Sequence, residues 1–447
     1  MAEPAGTAPD LTPGGVDAVI DRIFSPSAVR AGARAIFDLA AAGGTHFKLH
    51  LERLDEVADY TIAVTRANYP DLNVPYHARH GHLRAGGVDR PGQLAARSSA
   101  AGTDASSMGE GRLRRETVEG FPLFVSGEAR AERERRDKAL RSTIDLVVVS
   151  VLLDAGAGDR WTYREEATAR TWARSEGLAI ASFDMFMAGA FSGDPSAPLR
   201  ADIPGLLALT SGALARGFQV SAGNPLVGID GRVALLNNLA GCMARQPRVF
   251  PHGRVADLLD HLPGGGALRA AHILDFVLRR FGDIWPARTT LGGRNLGDVW
   301  RYRPLGPGAA GLVPFHKLSQ WLTYSLIVPL VENGHAVEGI DELTGLAEYR
   351  NGGLMLDGGV LELRDPALAV HEHAPESELV VEWRALTVAL LDLIAERVRR
   401  RLGLNPAQLP LASVLEGGTW HAGRRIAAER RRGGEPPLRI VSDGTVF

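Results

Sequence analysis

The chain has a single cysteine, Cys242, in 447 residues. No intrachain disulfide can form, and a reducing compartment suits such a composition. No apolar run reaches the roughly 18 residues that span a bilayer. The opening residues, MAEPAGTAPDLTPGG, lack a basic stretch followed by an apolar one. No secretion signal is therefore expected, and a cytoplasmic protein with no membrane partner is. An excess of one charge is also missing. Lys and Arg number 50 against 52 Asp and Glu, for a net charge of −2. That balance argues against nucleic acid as a partner, because its binders are usually basic overall. No internal repeat is visible. What is present, 45% hydrophobic residues, is ordinary for a globular protein.

The expected class is mainly α, with small β-hairpin and short-strand additions. Residues 1–14, rich in Ala, Pro and Gly, read as a loose tail. Residues 15–447 read as a single helical domain. Its first part, 15–140, carries a flexible insertion at 93–112 that is low in bulky apolar residues; its second, 141–447, carries the candidate chemistry. Ser25 and Pro26 open one helix, and residues 51–68 form another. Residues 130–141 are dense in charge of both signs, as on a solvated helix face. Residues 146–153 (LVVVSVLL) are the strongest buried run; β-branching favours a strand, while periodicity leaves a buried helix open. Further helices are expected at 176–191, 206–216, 231–245, 255–262, 267–281 and 377–402. Residues 342–350 read as a helix between the N-cap Asp341 and the stop at Asn351-Gly352. Residues 354–363 read as a hairpin about Asp357-Gly358.

The stretch that organises the rest is PFHKLSQWLTYSLIVPL, a helix beginning at Phe315. At about 100° per residue, His316, Lys317, Gln320 and Tyr324 share one face. That face has a cation, an imidazole, an amide and a phenol but no acid. It suits either packing on a partner helix or the wall of a pocket for an anionic, hydrogen-bonding small molecule. Three carboxylates stand out beside it. Asp154 leaves the buried run at a glycine turn, where it either caps the turn or serves a site. Glu348 falls near the end of its expected helix, where the macrodipole disfavours negative charge. It is either paired with a cation such as Arg350 or functional. Glu382 lines up with the buried stripe of residues 377–402, so it is paired, protonated or part of a site; Arg384 reads as solvated. Asp184, among Phe183, Met185 and Phe186, needs a partner. His77, His80 and His82 lie beside Arg79 in a segment that suits a metal, a donor loop for a ligand such as phosphate, or plain surface; no Cys or acid joins them at ligand spacing.

The strings YPDLNVPYHARHGHLRAGG, VVSVLLDAGAG, RSEGLAIASFDMFMAGAFS, NPLVGIDGR, LGDVW, FHKLSQWLTYSL, LTGLAEYRNGGL, ELVVEWRALTVALLD, LEGGTW and the terminal SDGTVF resemble the uracil-catabolism protein family of fungi and bacteria. The resemblance runs from about Ser25 to Phe447 and implies a place in a pathway that makes uridine monophosphate, opens its ring, and yields urea and a ribose phosphate. A more distant resemblance, over roughly residues 147–394, links FHKLSQ, IDELTGLAEYR and VEWRA to the queuosine salvage proteins. Those are N-glycosyl hydrolases of nucleoside 5'-phosphates on a DNA-glycosylase-like helical fold. On that resemblance Lys317 matches the lysine of an FxKxxQ-like string and Glu382 the acid of an E-x-R string. Glu348 stands where that family has Asp in Ala-Asp-Tyr-Arg, one methylene longer.

These resemblances imply hydrolysis of a C1'–N bond in a small-molecule ribosyl 5'-phosphate such as ribosylurea phosphate, with no cofactor and no metal. Glu348 would activate the water, with Glu382 or Asp154 as second acid. His316, Gln320 and Tyr349 would serve the leaving group, and Lys317, Arg350 and Arg79 the phosphate. The alternatives are a metal-dependent amidohydrolase using His77, His80 and His82, and a non-catalytic binding or regulatory protein for a pyrimidine-derived phosphate.

Overall fold

The computed structural model describes residues 13–100, 114–118, 121–125, 127–158, 160–262 and 266–441. It is mainly α, as expected, and its strands are all short and paired in twos. The chain divides into two compact units, Met1–Ala78 with Gly264–Tyr324 and Val337–Phe447, and Arg79–Pro263 with Ser325–Ala336. The second unit runs across residue 140.

The first unit is built on the Glu378–Leu402 helix. Ser377 caps it through its hydroxyl on the Val380 N–H, as a local signal should. Its apolar positions are buried almost around the full circumference, against the Pro26–Ala41 and Leu54–Asn68 helices. The strand Phe47–Leu49 pairs antiparallel with Leu361–Leu363, and Val299–Arg301 with Leu312–Pro314. One turn of π-helix, Leu415–Thr419, leads into the Trp420–Arg430 helix. That helix packs on Tyr349–Asp357.

The second unit is built on the 26-residue helix Gly127–Leu152. It packs on Arg90–Ala100 and Arg174–Met187. Arg232 holds the turn that follows it, donating to the carbonyls of Leu153, Ala155 and Gly156.

Several expectations are corrected. Residues 146–153 are the buried end of the Gly127–Leu152 helix, not a strand. Burial on all sides outweighs the modest cost of β-branching in a helix. The charged stretch 130–141 begins the same helix. Residues 93–100 of the expected insertion belong to the Arg90–Ala100 helix, whose Leu94 is buried; residues 101–112 lie outside the described residues, as do 1–12 of the expected tail. Residues 13 and 14 already belong to the Pro13–Ile23 helix. Residues 206–216 split into Ile203–Ala208 and Ser211–Gly217.

The largest correction concerns residues 342–363. The helix expected at 342–350 is absent, and Tyr349–Asp357 is helical where a hairpin was expected. Leu361–Leu363 instead finds its partner strand far back, at Phe47–Leu49. Among the described residues, no helix is long and apolar enough to cross a membrane.

The Gly417-Gly418 pair lets the π-turn lie against the Leu54–Asn68 helix. A Cβ on Gly418 would meet Thr61 Cγ2 at 2.4 Å and Thr65 Oγ1 at 3.0 Å. Gly418→Ala should therefore cost about 1–3 kcal/mol by overpacking. A thermal or denaturant melt checks this; an unchanged midpoint would mean the two elements do not touch so closely.

Candidate functional site

Lys317, Glu348 and Glu382 all belong to the first unit. They come from three segments; those of Lys317 and Glu382 meet at a fourth residue, Asp298, which precedes the Val299–Arg301 strand, and that of Glu348 joins them through Arg384. Phe315 N–H donates to its carbonyl at 2.9 Å, and Lys317 N–H to its Oδ2 at 2.9 Å. Asp298 thus caps the Lys317–Glu332 helix from outside the helix's own sequence. The cap is needed because His316 is left-handed, with φ 49°. That also takes His316 out of the helix it was expected to join.

Arg384 grips the same carboxylate with both terminal nitrogens, at 2.7 and 2.8 Å. Its Nε donates to the Ala347 carbonyl at 3.4 Å, and its guanidinium lies 4.1 Å over the Phe315 ring. Arg384 is 2% exposed, so the solvated reading is corrected. Burial alone would raise the Asp298 carboxyl. The Arg384 charge and hydrogen bonds, with Trp300 Nε1–H at 2.6 Å and the Lys317 N–H, outweigh it and hold the group well below the usual carboxylate range.

Glu382 is buried and fully engaged. Tyr302 donates to Oε1 at 2.8 Å, the His46 N–H to Oε2 at 2.7 Å, and His46 Nδ1 lies 2.9 Å from Oε2. The paired reading of this acid holds. Glu348 lies at the start of a helix, not the end. It is the N-cap of Tyr349–Asp357, its side chain accepting from Arg350 N at 2.8 Å and Asn351 N at 2.6 Å. The macrodipole argument for a misplaced acid is therefore reversed.

The other predicted residues of this unit hold structure. His316 Nε2 donates to the Ile23 carbonyl at 2.9 Å, and burial lowers its pKa. Gln320 clamps Thr344 in both directions and also reaches the Phe315 carbonyl. Arg350 donates to the Gly434 carbonyl at 2.7 Å and covers the Tyr349 ring. Tyr349 itself is half-buried.

Asp154 and Arg79 belong to the second unit, where they pair with each other at 3.1 Å. Arg79 also donates to Ser150 Oγ and the Ser175 carbonyl. Asp154 Oδ1 is buried with no hydrogen-bond partner among the described residues. Asp184 has its partner, Tyr163 Oη at 2.7 Å. His80 is buried with neither ring nitrogen bonded among the described residues; burial, then the Arg84 charge, pushes it down to about 3.

A recess opens beside Asp298, lined by Trp285, Pro286, Arg288, Gly297, Asp298, Leu318 and Ser319. Water-sized spheres find about 20 Å³ of room in it, enough for about one water and short of a small-ligand site. Lys317, Glu348 and Glu382 are not among its lining residues. His77, His80 and His82 form no set of ligand atoms close enough to share a cation. Among the described residues His252, Asp257 and Asp260 do. Those acids have other work: Asp257 caps His252 and Arg254, and Asp260 pairs with Arg141.

Residues 22–115 and 109–447 match a family described as a protein of unknown function (DUF1688). The chain belongs to this family. It is 36% identical to Uracil catabolism protein 4 of Lachancea kluyveri, over 97% of this chain and all of that protein. It is 37% identical to Protein urg3 of Schizosaccharomyces pombe, over 88% of this chain and 90% of that protein. The resemblance carried by strings such as LGDVW and LEGGTW is thereby borne out. Asp298 sits inside LGDVW, yet sequence reasoning assigned it no role. The signal that could have found it is an acid between glycine and a Val-Trp strand, in need of a cation.

Removing the cation leaves Asp298, half-buried beside the recess, with its charge unpaired. Arg384→Gln should cost about 1–3 kcal/mol at pH 7. The parent's depressed carboxyl contributes stability above its unfolded pKa and loses it as pH falls towards the folded value. The deficit of the variant should accordingly shrink below about pH 4, where the variant carboxyl is neutral. Melting curves at neutral and acid pH test this; a deficit independent of pH would mean that the pair does not set the ionisation of Asp298.

Proposed function

We propose that this protein acts in uracil catabolism as an N-glycosyl hydrolase. Its substrate on this reading is a ribosyl 5'-phosphate, ribosylurea 5'-phosphate above all, and its products are urea and ribose 5-phosphate. The observation that carries the reading is the meeting of the FHKLSQ and VEWRA segments at Asp298, with LAEYR joined to them through Arg384 and the Ala347 carbonyl, beside an open recess. The names of the relatives supply the pathway.

Cleavage of the C1'–N bond leaves positive charge on C1' and O4'. A carboxylate that stays ionised stabilises that charge. Asp298, held anionic by Arg384 and facing the recess, is suited to this. Water supplies the new O–C1' bond, and one of its protons ends on the urea nitrogen. Glu348 takes the proton from the water in this scheme. Each of its oxygens accepts one backbone N–H and keeps a further lone pair. Glu382 sets the Tyr302 hydroxyl, and Lys317 takes the phosphate.

Pure protein incubated with ribosylurea 5'-phosphate should release urea. Glu348→Gln should bind the substrate yet lose turnover by roughly 10²-fold or more. The same change weakens a helix cap, at a cost of about 1 kcal/mol, so its melting point is measured alongside. Full turnover in a folded Glu348→Gln variant would remove Glu348 from the mechanism. No urea from the parent would remove the reaction.

A further inference from the structure

The LEGGTW string folds into the π-turn Leu415–Thr419. Such turns cost helix geometry and are frequent at functional sites. Its acid, Glu416, is 8% exposed and points at a histidine from the opposite end of the sequence. His77 Nδ1 lies 2.6 Å from Glu416 Oε2. Tyr69 Oη donates to the other oxygen at 3.3 Å, and His421 Nε2 stands 3.9 Å from it, too far for a hydrogen bond. Burial works to raise the Glu416 carboxyl. The histidines 421 and 77 outweigh it and hold the group well below the usual range.

An ionised carboxylate only accepts, so His77 Nδ1 carries the hydrogen. In the neutral ring the lone pair is then on Nε2. That nitrogen has no hydrogen-bond partner among the described residues, yet it is not one of the polar atoms closed off from solvent. His77 is only 4% exposed, so the Nε2 edge is where the ring is reached. The faces of the ring are covered by Trp420, at 5.5 Å between centroids, and Trp321, at 6.4 Å. The His77 N–H is fixed on the Ala412 carbonyl. A carboxylate that sets the tautomer, walls that set the plane and one reachable nitrogen make an oriented acid–base group.

We propose that His77 is an acid–base residue and Glu416 its positioning residue. Together they move a proton to or from a planar amide-type or ureido group at the Nε2 edge, beside Trp420, whose ring carries the Arg424 guanidinium at 4.7 Å. This proposal stands apart from the hydrolase reading, since neither Asp298 nor Glu348 enters it. His77 Nε2 accepts the proton from a polarised N–H or O–H and returns it to the same molecule or to water. Glu416 stays anionic and stabilises the imidazolium in between.

The test uses the full chain with 15N-labelled histidine. Long-range 1H–15N spectra should show His77 as the Nδ1–H tautomer. Adding N-methylurea or ribosylurea 5'-phosphate should shift its Nε2 resonance, and Trp420→Ala should weaken that response. Glu416→Gln should move His77 towards the Nε2–H tautomer, which a merely structural role would not require. In a host made dependent on this protein for growth on uracil, His77→Gln should abolish growth while the purified variant keeps its melting point. An Nε2–H tautomer in the parent, an unmoved Nε2 on titration, or growth at the parent rate would each overturn the proposal. Should the parent release no urea while Nε2 still responds to N-methylurea, the hydrolase reading falls and this one stands.

Discussion

The first unit depends on one ion pair, the half-buried Asp298 with the buried Arg384. Burying two charges is costly unless every lone pair and N–H is engaged. Here the carboxylate takes two bonds from the guanidinium, one from Trp300 and one from the Lys317 backbone. Four acceptor sites meet four donors. The remaining Arg384 nitrogen finds the Ala347 carbonyl, and Phe315 covers the guanidinium face. The pair is saturated, so its value lies in specificity. It fixes where a helix start, a strand start and an irregular segment must meet, because any other arrangement strands a charge.

That irregular segment, residues 341–348, has little regular structure, and its backbone groups are satisfied by side chains from elsewhere. Arg30 serves the carbonyls of Asp341, Glu342 and Leu343. Gln320 accepts from the Thr344 N–H, and Tyr324 donates to the Thr344 carbonyl. Asn351 takes the Leu346 carbonyl and Arg384 that of Ala347. Buried backbone must be paired somewhere. The polar face of the Lys317–Glu332 helix lacks acids for this reason: much of what it holds is carbonyl oxygen, which needs donors. Of the two readings of that face, packing on protein is the one seen at Gln320 and Tyr324; the recess is bordered instead by Leu318 and Ser319, which lie off that face.

Where the deciding partner is close in sequence, the chain was legible. Ser25 caps the helix it was expected to open, because a cap is a bond across three residues. Glu382 read correctly as an acid needing partners, since its alignment with a buried stripe is a local fact. Residues 342–363 misled because Arg30, Gln320 and Arg384 hold the segment extended from far away. In addition, a side chain at Gly345 would run into Leu391 at 2.7 Å. Asp298 and Arg384 are 86 positions apart, and neither Trp300 nor glycine beside Asp298 hints at a guanidinium. His77 and Glu416 are 339 apart. The histidine was noticed for its neighbours His80 and His82, while its real partner was hidden in a glycine-rich string.

Four carboxylates of the first unit, Asp298, Glu348, Glu382 and Glu416, differ in what holds them, and that difference assigns their chemistry. Asp298 is locked by a guanidinium that cannot give up a proton, so its charge is permanent and it can only stabilise. Glu348 is held by two backbone N–H groups, which leave room for water. Glu382 is closed in by a phenol and a histidine at residue 46, which suits orientation of Tyr302 more than reaction. Glu416 alone has imidazoles on both sides, and imidazole is the side chain that exchanges protons near neutral pH. A site that must keep one charge fixed while moving another proton needs environments of such opposed kinds. A guanidinium beside Glu416 in place of His77 would keep the charge and end the traffic.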